Sequence, residues 1–240
     1  MVPEAGEAVL ARIVAVRAEV AAAAARTGRS AEAVRIVAVT KTLPPTAVEL
    51  AVAAGLEDIG ENYVQEAAAK RSACRVSARW HLIGSLQRNK ARLAVRIFDR
   101  IHSLDSMPLA AALSRAALET GWRVPVLVQV NVTGSMTQRG VPPEQVRDLL
   151  EVVVKEPGLA VDGLMAIGPA GRPPEMVRAC FRAVRQLRDD VSKWLGVELP
   201  HLSMGMSDDF LLAVEEGATF VRLGRVLFGP RASGSWREGS

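Results

Sequence analysis

Short runs of β-branched and aliphatic residues recur along this chain, and all but the last are followed by a stretch with helical spacing, so that eight strands are counted. No other feature constrains the fold as strongly. The runs fall at 34–40, 56–60, 79–84, 98–103, 124–131, 159–167, 199–203 and 219–223. They read as continuous apolar runs, which marks strands buried on both faces and hence a parallel sheet. The stretches between them cover 44–55, 62–71, from 87, 106–120, 142–155, 173–195 and 207–216, and read as helices, the first opened by Pro44 and Pro45. Eight such units predict an α/β fold, a single (β/α)8 TIM barrel. A further Ala-rich helix is expected over 4–27, stopped by Gly28 before the first strand. A doubly wound open sheet is the alternative. No Gly-x-Gly-x-x-Gly follows the first strand, which counts against a dinucleotide-binding version of it. One domain is expected over 1–231, with a flexible C-terminal tail over 232–240.

The 240 residues suffice for one barrel and a large core. Aromatics are only 4% of the chain, so aliphatic packing must dominate that core. A net charge of +4 without a long basic run does not indicate a nucleic-acid surface, though it suits a local anion site. Cys74 and Cys180 stand apart from any Cys or His at ligand spacing, so no metal site is expected and a reducing compartment is. The N-terminus is acidic at Glu4 and Glu7, and its apolar stretch is interrupted by Arg12, Arg17, Glu19 and Arg26. That pattern is neither a signal peptide nor a membrane span, and a cytoplasmic protein is expected.

In a barrel of this kind the chemistry sits where strands end and loops begin. The residues at those places are Lys41, Asn62, Ser103, Asp105, Asn131, Ser203 to Ser207, Arg222 and Gly224. Lys41 follows an apolar strand, whose walls disfavour a charged amine, and a neutral amine is what attacks an aldehyde to form a Schiff base. The plainer reading is a rim lysine with its head in water. The loop 202–209 is rich in small residues: Gly205 permits close backbone approach, and Ser207 is placed either to cap the next helix or to join a phosphate cradle. Gly224 offers open backbone after the last strand. Both loops fall where barrels of this class hold phosphate. Arg222 reads either as a residue facing a cofactor ring or as half of an interior ion pair. His81, His102 and His201 read as structural, Met204 and Met206 as packing, and the run from Arg88 to Arg92 as a solvated helix face. Lys70, Lys90, Lys155 and Lys193 are expected at the surface.

Several ordered motifs run through the chain: Ala38-Val39-Thr40-Lys41-Thr42, Ile59-Gly60-Glu61-Asn62-Tyr63-Val64-Gln65-Glu66, and Trp80-His81-Leu82-Ile83-Gly84-Ser85-Leu86-Gln87-Arg88-Asn89-Lys90. They continue with Ile101-His102-Ser103-Leu104-Asp105-Ser106, His201-Leu202-Ser203-Met204-Gly205-Met206-Ser207-Asp208-Asp209 and Val221-Arg222-Leu223-Gly224. With these motifs the chain resembles the pyridoxal phosphate homeostasis proteins over about residues 8 to 231. The resemblance implies a fold-type III barrel like the N-terminal domain of alanine racemase, with pyridoxal 5′-phosphate (PLP) on Lys41. It implies phosphate contacts from Ser203, from the Met206–Ser207 backbone and from the Gly224–Arg225 turn. It places Arg222 near the pyridine nitrogen and Asn62 beside the cofactor. Three positions depart from the family pattern. Arg225 stands where a Thr or Ser is usual, the stretch 132–140 lacks the usual acidic residues and lysine, and Ala166 replaces a Thr or Cys.

A racemase on this barrel needs a second base, usually a tyrosine, supplied through an added β domain and a second subunit. This sequence has one tyrosine, Tyr63, and no such domain is expected. An arginine at the pyridine nitrogen also weakens the cofactor as an electron sink. The expected role is therefore carriage: a monomer that holds PLP as a Schiff base in vitamin B6 homeostasis, supplies it to apo-enzymes and has no strong catalysis of its own. Nucleic acid, membrane and metal are not expected partners. A weak PLP-dependent racemase or lyase using Lys41 and Tyr63 is the competing reading, and a cofactor-free Schiff-base aldolase a third.

Overall fold

The computed structural model describes residues 3–230, and the tail expected at 232–240 lies outside them. Eight strands pair in parallel in chain order: β1 (Arg35–Val39), β2 (Asp58–Glu61), β3 (Arg79–Leu82), β4 (Arg100–Leu104), β5 (Val124–Val130), β6 (Leu159–Ala166), β7 (His201–Ser203) and β8 (Phe220–Leu223). β8 pairs with β1 and closes the barrel, so the expected (β/α)8 fold is borne out and the open sheet is not. The helices are α1 (Pro3–Ala25), α2 (Pro45–Ala53), α3 (Val64–Ala73), α4 (Ala91–Ile97), α5 (Met107–Leu118), α6 (Val146–Val153), α7 (Pro174–Leu195), α8 (Phe210–Glu215) and α9 (Arg225–Phe228).

The N-terminal helix has a structural task. α9, which follows β8, has only four residues and covers little. α1 buries Val9, Ile13, Val16, Val20 and Ala23, alternating steps of four and three along one stripe, and packs on α8, α9 and α2. It thus closes the outer ring where the last barrel helix is too short.

Boundary differences from the sequence reading have physical causes. β7 starts at His201 rather than 199, since Pro200 offers no N–H to the ladder. β2 runs from Asp58 to Glu61, one residue beyond the run expected at 56–60. The Glu61 carboxylate is fully buried against Lys70 of α3. Lys70 is therefore not the surface residue expected. Lys155 and Lys193 are exposed, and Lys90 is partly so.

The apolar core lies between the strands and the helices. It contains Ile36 and Ala38, Ile59, Trp80 and Leu82, Ile101, Leu202, and Val221 and Leu223. Strand side chains alternate, so their neighbours fill the barrel interior. That set is polar for a TIM barrel: Asp58, His81, Arg100, His102, His201, Ser203 and Arg222, with Arg35 and the exposed Arg79 at the end where the strands begin. Phe220 anchors it, with His201, His102 and His81 ring centroids at 4.8, 5.5 and 5.7 Å from its own. The guanidinium carbons of Arg100 and Arg35 lie 5.1 and 5.2 Å from the same ring, in cation–π range.

A bulge in β6 adjusts this interior. The β5–β6 register runs Val126↔Val161 and then Leu127↔Gly163, so Asp162 is the extra residue. The bulge delivers its carboxylate to Arg100 at 2.8 Å. Gly163 beyond it has φ of 154°, and a Cβ there would lie 1.9 Å from the His201 carbonyl oxygen. Backbone cannot yield as a flexible side chain can. Gly163→Ala should therefore lower the unfolding free energy by about 2–4 kcal/mol, measured by urea denaturation. A change within about 0.5 kcal/mol would mean that β6 and β7 part without loss.

Candidate functional site

β7, β8, β1 and β2 are consecutive neighbours around the barrel, so the loops that follow them share one sector of its C-terminal face. A cavity of about 490 Å³ opens there, within the range of small-molecule pockets. Lys41, Asn62, Met206, Ser207, Arg222, Gly224 and Arg225 all line it, with Val39, Ile83 and Ile167 as apolar walls. The sequence reading named every one of those polar-site positions. Ser203, also named, is fully buried beneath them and does not line the cavity.

The two glycine-bearing loops are fastened to each other. The Val226 N–H donates to Ser207 Oγ (3.3 Å), and the Arg222 N–H donates to the Gly205 carbonyl (3.0 Å). Gly205 has φ of 93°, and a Cβ there would approach Ala213 Cβ to 2.6 Å, so only glycine lets this loop lie against α8. Ser207 does not cap α8 as one reading had it. That helix starts three residues later than expected, at Phe210, and the Asp209 carboxylate accepts the Met206 N–H (2.6 Å). Met206 is not packing: its side chain is 37% exposed at the cavity, whereas Met204 is fully buried. Gly224 and Arg225 begin α9, and amides in a helix's first turn have no acceptor inside the helix. The Arg225 guanidinium pairs with Asp208 at the surface.

Arg222 is held from behind. One guanidinium nitrogen donates to the Ser203 carbonyl (2.7 Å) and hydroxyl (2.8 Å), and the other to the Ala166 carbonyl (2.9 Å). Position 166 thus serves through its backbone, whichever side chain it carries. Burial pulls the guanidinium down to about 10, opposed by Asp209, so it stays charged at neutral pH. Burial in turn raises the Asp209 carboxyl, opposed by its bond from Met206 and by Arg222.

A hydrogen-bonded chain continues inward from Ser203. Its Oγ lies 2.8 Å from His102 Nδ1, His102 Nε2 lies 2.9 Å from His81 Nδ1, and His81 Nε2 lies 2.7 Å from Asp58 Oδ1. The donor order follows from the ends. Arg222 only donates, so the Ser203 hydroxyl accepts from it and gives its proton to His102 Nδ1. His102 must then carry its proton on Nε2 and give it to His81 Nδ1, and His81 gives its own to Asp58. Both imidazoles are neutral: burial lowers His102 well below its ordinary value, and lowers His81 despite the opposing pull of Asp58. Asp58 stays ionised. Burial works against that, but bonds from His81 and Arg79 and the charges of His81 and Arg35 hold its carboxyl far below the usual range. The sequence reading took these histidines singly as structural. The signal for the chain was polar residues two apart at the same strand parity, Arg79 with His81, Arg100 with His102, and His201 with Ser203, beside Asp58 in β2.

The residues present fit a phosphorylated aldehyde. The cavity sets an amine on one side, loop amides and a hydroxyl on another, and a buried guanidinium at its wall. A second cavity of about 630 Å³ opens at the opposite end, where strands begin. Its cations are already engaged, with Arg17 on the Gly55 carbonyl and Arg35 and Arg79 both on Asp58. Among the described residues no cluster suits a metal, and no helix is long and apolar enough to cross a membrane.

Comparison with known proteins gives the family and the fold. The family model "Alanine racemase, N-terminal domain" matches residues 13–232. A pyridoxal phosphate homeostasis protein of Aquifex aeolicus is 42% identical, covering 86% of this chain and 91% of its own. One from Pseudomonas aeruginosa is 41% identical, covering 93% and 96%. Among solved structures, PipY of Synechococcus elongatus PCC7942 with PLP bound superposes with a TM-score of 0.82 at 36% identity, covering 92% of this chain and all of that one. An alanine racemase of Clostridium difficile shares the fold at a TM-score of 0.71 and 15% identity, covering 83% of this chain and 56% of that one.

Neutral interior histidines make stability depend on pH. Their folded pKa values lie below the unfolded value of about 6.5, so the unfolded chain binds more protons once the pH falls below that point. Stability should hold above about pH 7 and fall below about 6.5, by at most about 1.4 kcal/mol per pH unit for each of His81 and His102. His201, drawn down to about 4 by burial and by Arg100 and Arg35, adds a smaller share because it is half-exposed. Asp58 contributes a further loss only below about pH 4. Urea unfolding at pH 7.5 and 5.5 measures this, and equal stabilities at the two would sink the neutral assignment.

Proposed function

The chain belongs to the pyridoxal phosphate homeostasis protein family, within the alanine racemase N-terminal-domain family, and from that premise we propose that it carries PLP on Lys41 and supplies it to apo-enzymes. Residues 1–231 act as one PLP-binding domain, working as a cytoplasmic monomer with no strong catalytic activity of its own. The observation that carries this reading is the cavity itself, which gathers Lys41, Asn62, Arg222 and the two phosphate-suited loops in one place.

When bound, PLP supplies an aldehyde that a primary amine captures as a Schiff base with loss of water. Lys41 provides that amine, between walls formed by Val39, Ile83 and Ile167. The amides of Ser207, Gly224 and Arg225 would hold the phosphate, and Arg225 would add charge where a hydroxyl is more usual. Asn62 would stand beside the cofactor. Ser203 acts one step removed, since its hydroxyl is engaged by Arg222 and His102. Arg222 would stand at the pyridine nitrogen. A charged guanidinium there opposes protonation of the ring and so weakens it as an electron sink.

Carriage fits these residues better than turnover does. Tyr63, the one tyrosine of the sequence, is 59% exposed and outside the cavity lining, so it is not posed as a second base. Relatives bear the name of homeostasis proteins rather than of an enzyme.

Borohydride reduction of PLP-loaded protein, followed by peptide mapping, should place the phosphopyridoxyl group on Lys41, and Lys41→Ala should abolish it. A label absent from Lys41 ends the reading. Arg222→Ala should weaken PLP retention by about ten- to a hundredfold with the fold intact by circular dichroism. Loaded protein should also reactivate a PLP-free enzyme faster than free PLP at the same concentration. Amino-acid turnover that disappears in Lys41→Ala would favour the racemase or lyase reading instead.

A further inference from the structure

Beneath the turn that carries Lys41 lies a buried ionic cluster that the proposed cofactor contacts do not use. Lys70 is 0% exposed. Its ammonium donates to the Thr40 carbonyl (2.6 Å), to Glu61 Oε1 (2.7 Å) and to Glu66 Oε1 (2.7 Å). The same two carboxylate oxygens take more from the turn. Glu61 Oε1 accepts the Thr40 hydroxyl (2.7 Å), and Glu66 Oε1 accepts the Thr42 N–H. The residue before Lys41 is therefore gripped by its carbonyl and hydroxyl, and the residue after it by its amide.

Two features show that this grip carries strain. Thr42 has φ of 64°, and among the described residues it is the one non-glycine position with positive φ. A β-branched residue there is strained, and such strain persists only where the surroundings over-determine it. The second is Glu61 Oε2, which is buried with no hydrogen-bond partner among the described residues. A cluster built for stability alone has no reason to retain either beside a strand end.

We propose that Lys70, Glu61 and Glu66 are positioning residues for Lys41, clamping both its chain neighbours so that its amine enters the cofactor cavity in one direction. None of the three lines that cavity, so they act through the backbone of 40–42. The inference rests on Lys41 being the attachment residue. There the amine nitrogen bonds to the aldehyde carbon, the C=O bond is replaced by C=N, and the oxygen leaves as water, with no change of oxidation state.

This role separates two parts of binding. Capture by Lys41 depends on its direction, whereas phosphate and ring contacts come from the loops after β7 and β8. A PLP analogue with a methyl group in place of the aldehyde, 4′-deoxypyridoxine 5′-phosphate, reads the second part alone. Lys70→Met and Glu66→Ala should reduce PLP affinity and borohydride-trapped label on Lys41 by about tenfold or more. Affinity for the analogue should stay within about twofold. Adding Thr42→Gly to Glu66→Ala should restore much of the trapping, because glycine adopts this φ without help. Should Lys70→Met fail to fold, Glu66→Ala and its glycine partner decide the matter. Equal losses for PLP and the analogue would reduce the cluster to general support and overturn the proposal, as would unchanged trapping in Glu66→Ala. If the unaltered protein is not labelled at Lys41, the carrier reading falls and takes this one with it. If it is labelled and the variants match it, only the positioning role falls.

Discussion

The Arg222 guanidinium sits in the barrel interior in contact with Ser203 and Ala166, and much of that interior is arranged to make a buried cation tolerable. Removing a charge from water is expensive unless the protein replaces its hydration with fixed dipoles. Two carbonyls and a hydroxyl do so here. The hydroxyl accepts from Arg222 through a lone pair and donates its O–H to His102, which donates in turn to His81, and His81 to Asp58. At the far end Asp58 is itself held by Arg35 and Arg79. The cation at the cavity is thus linked through oriented groups to an anion near the opposite face, and each group has one consistent proton position.

This explains an unusual division of labour between the two faces of the sheet. Apolar burial, the main favourable term in folding, is concentrated outside the strands, where helices cover Ile36, Ile59, Trp80 and Leu202. The interior is left free to be polar, at the risk that any broken partner leaves a desolvated group. Phe220 moderates that risk by giving Arg35 and Arg100 an aromatic face and by packing against all three histidine rings. The β6 bulge serves the same end by turning Asp162 toward Arg100.

The barrel was legible because apolar periodicity and turn residues are local properties, and eight repeats of one pattern leave few architectures. The cavity was legible for a related reason. Strand ends can be read from the chain, and closure of β8 on β1 makes the ends of β7, β8, β1 and β2 neighbours. Burial of ionisable groups was not legible. Lys70 lies on a helix whose sequence, with Gln65, Glu66 and Arg71, looks solvated, and only the arrival of Glu61 from β2 turns it inward. The late start of α8 was hidden too, because Ser207 followed by two aspartates is a good local capping signal. The tertiary bond from Val226 to Ser207 outweighs it.

The cavity therefore has two supports on opposite sides of the sheet. Lys41 is braced from outside the barrel, where Glu61 of β2 meets Lys70 and Glu66 of α3. Arg222 is braced from inside, by Ser203 and the histidines beneath it. The wall of β1 and β2 stands between the two groups, and each reaches the cavity through a different residue. Damage to one support should therefore leave most of the contribution of the other intact. Under the proposed carrier role this independence would have a use: an arm braced separately from the phosphate and ring contacts could be loosened first, and release would then pass through an intermediate step instead of a single rupture of every contact.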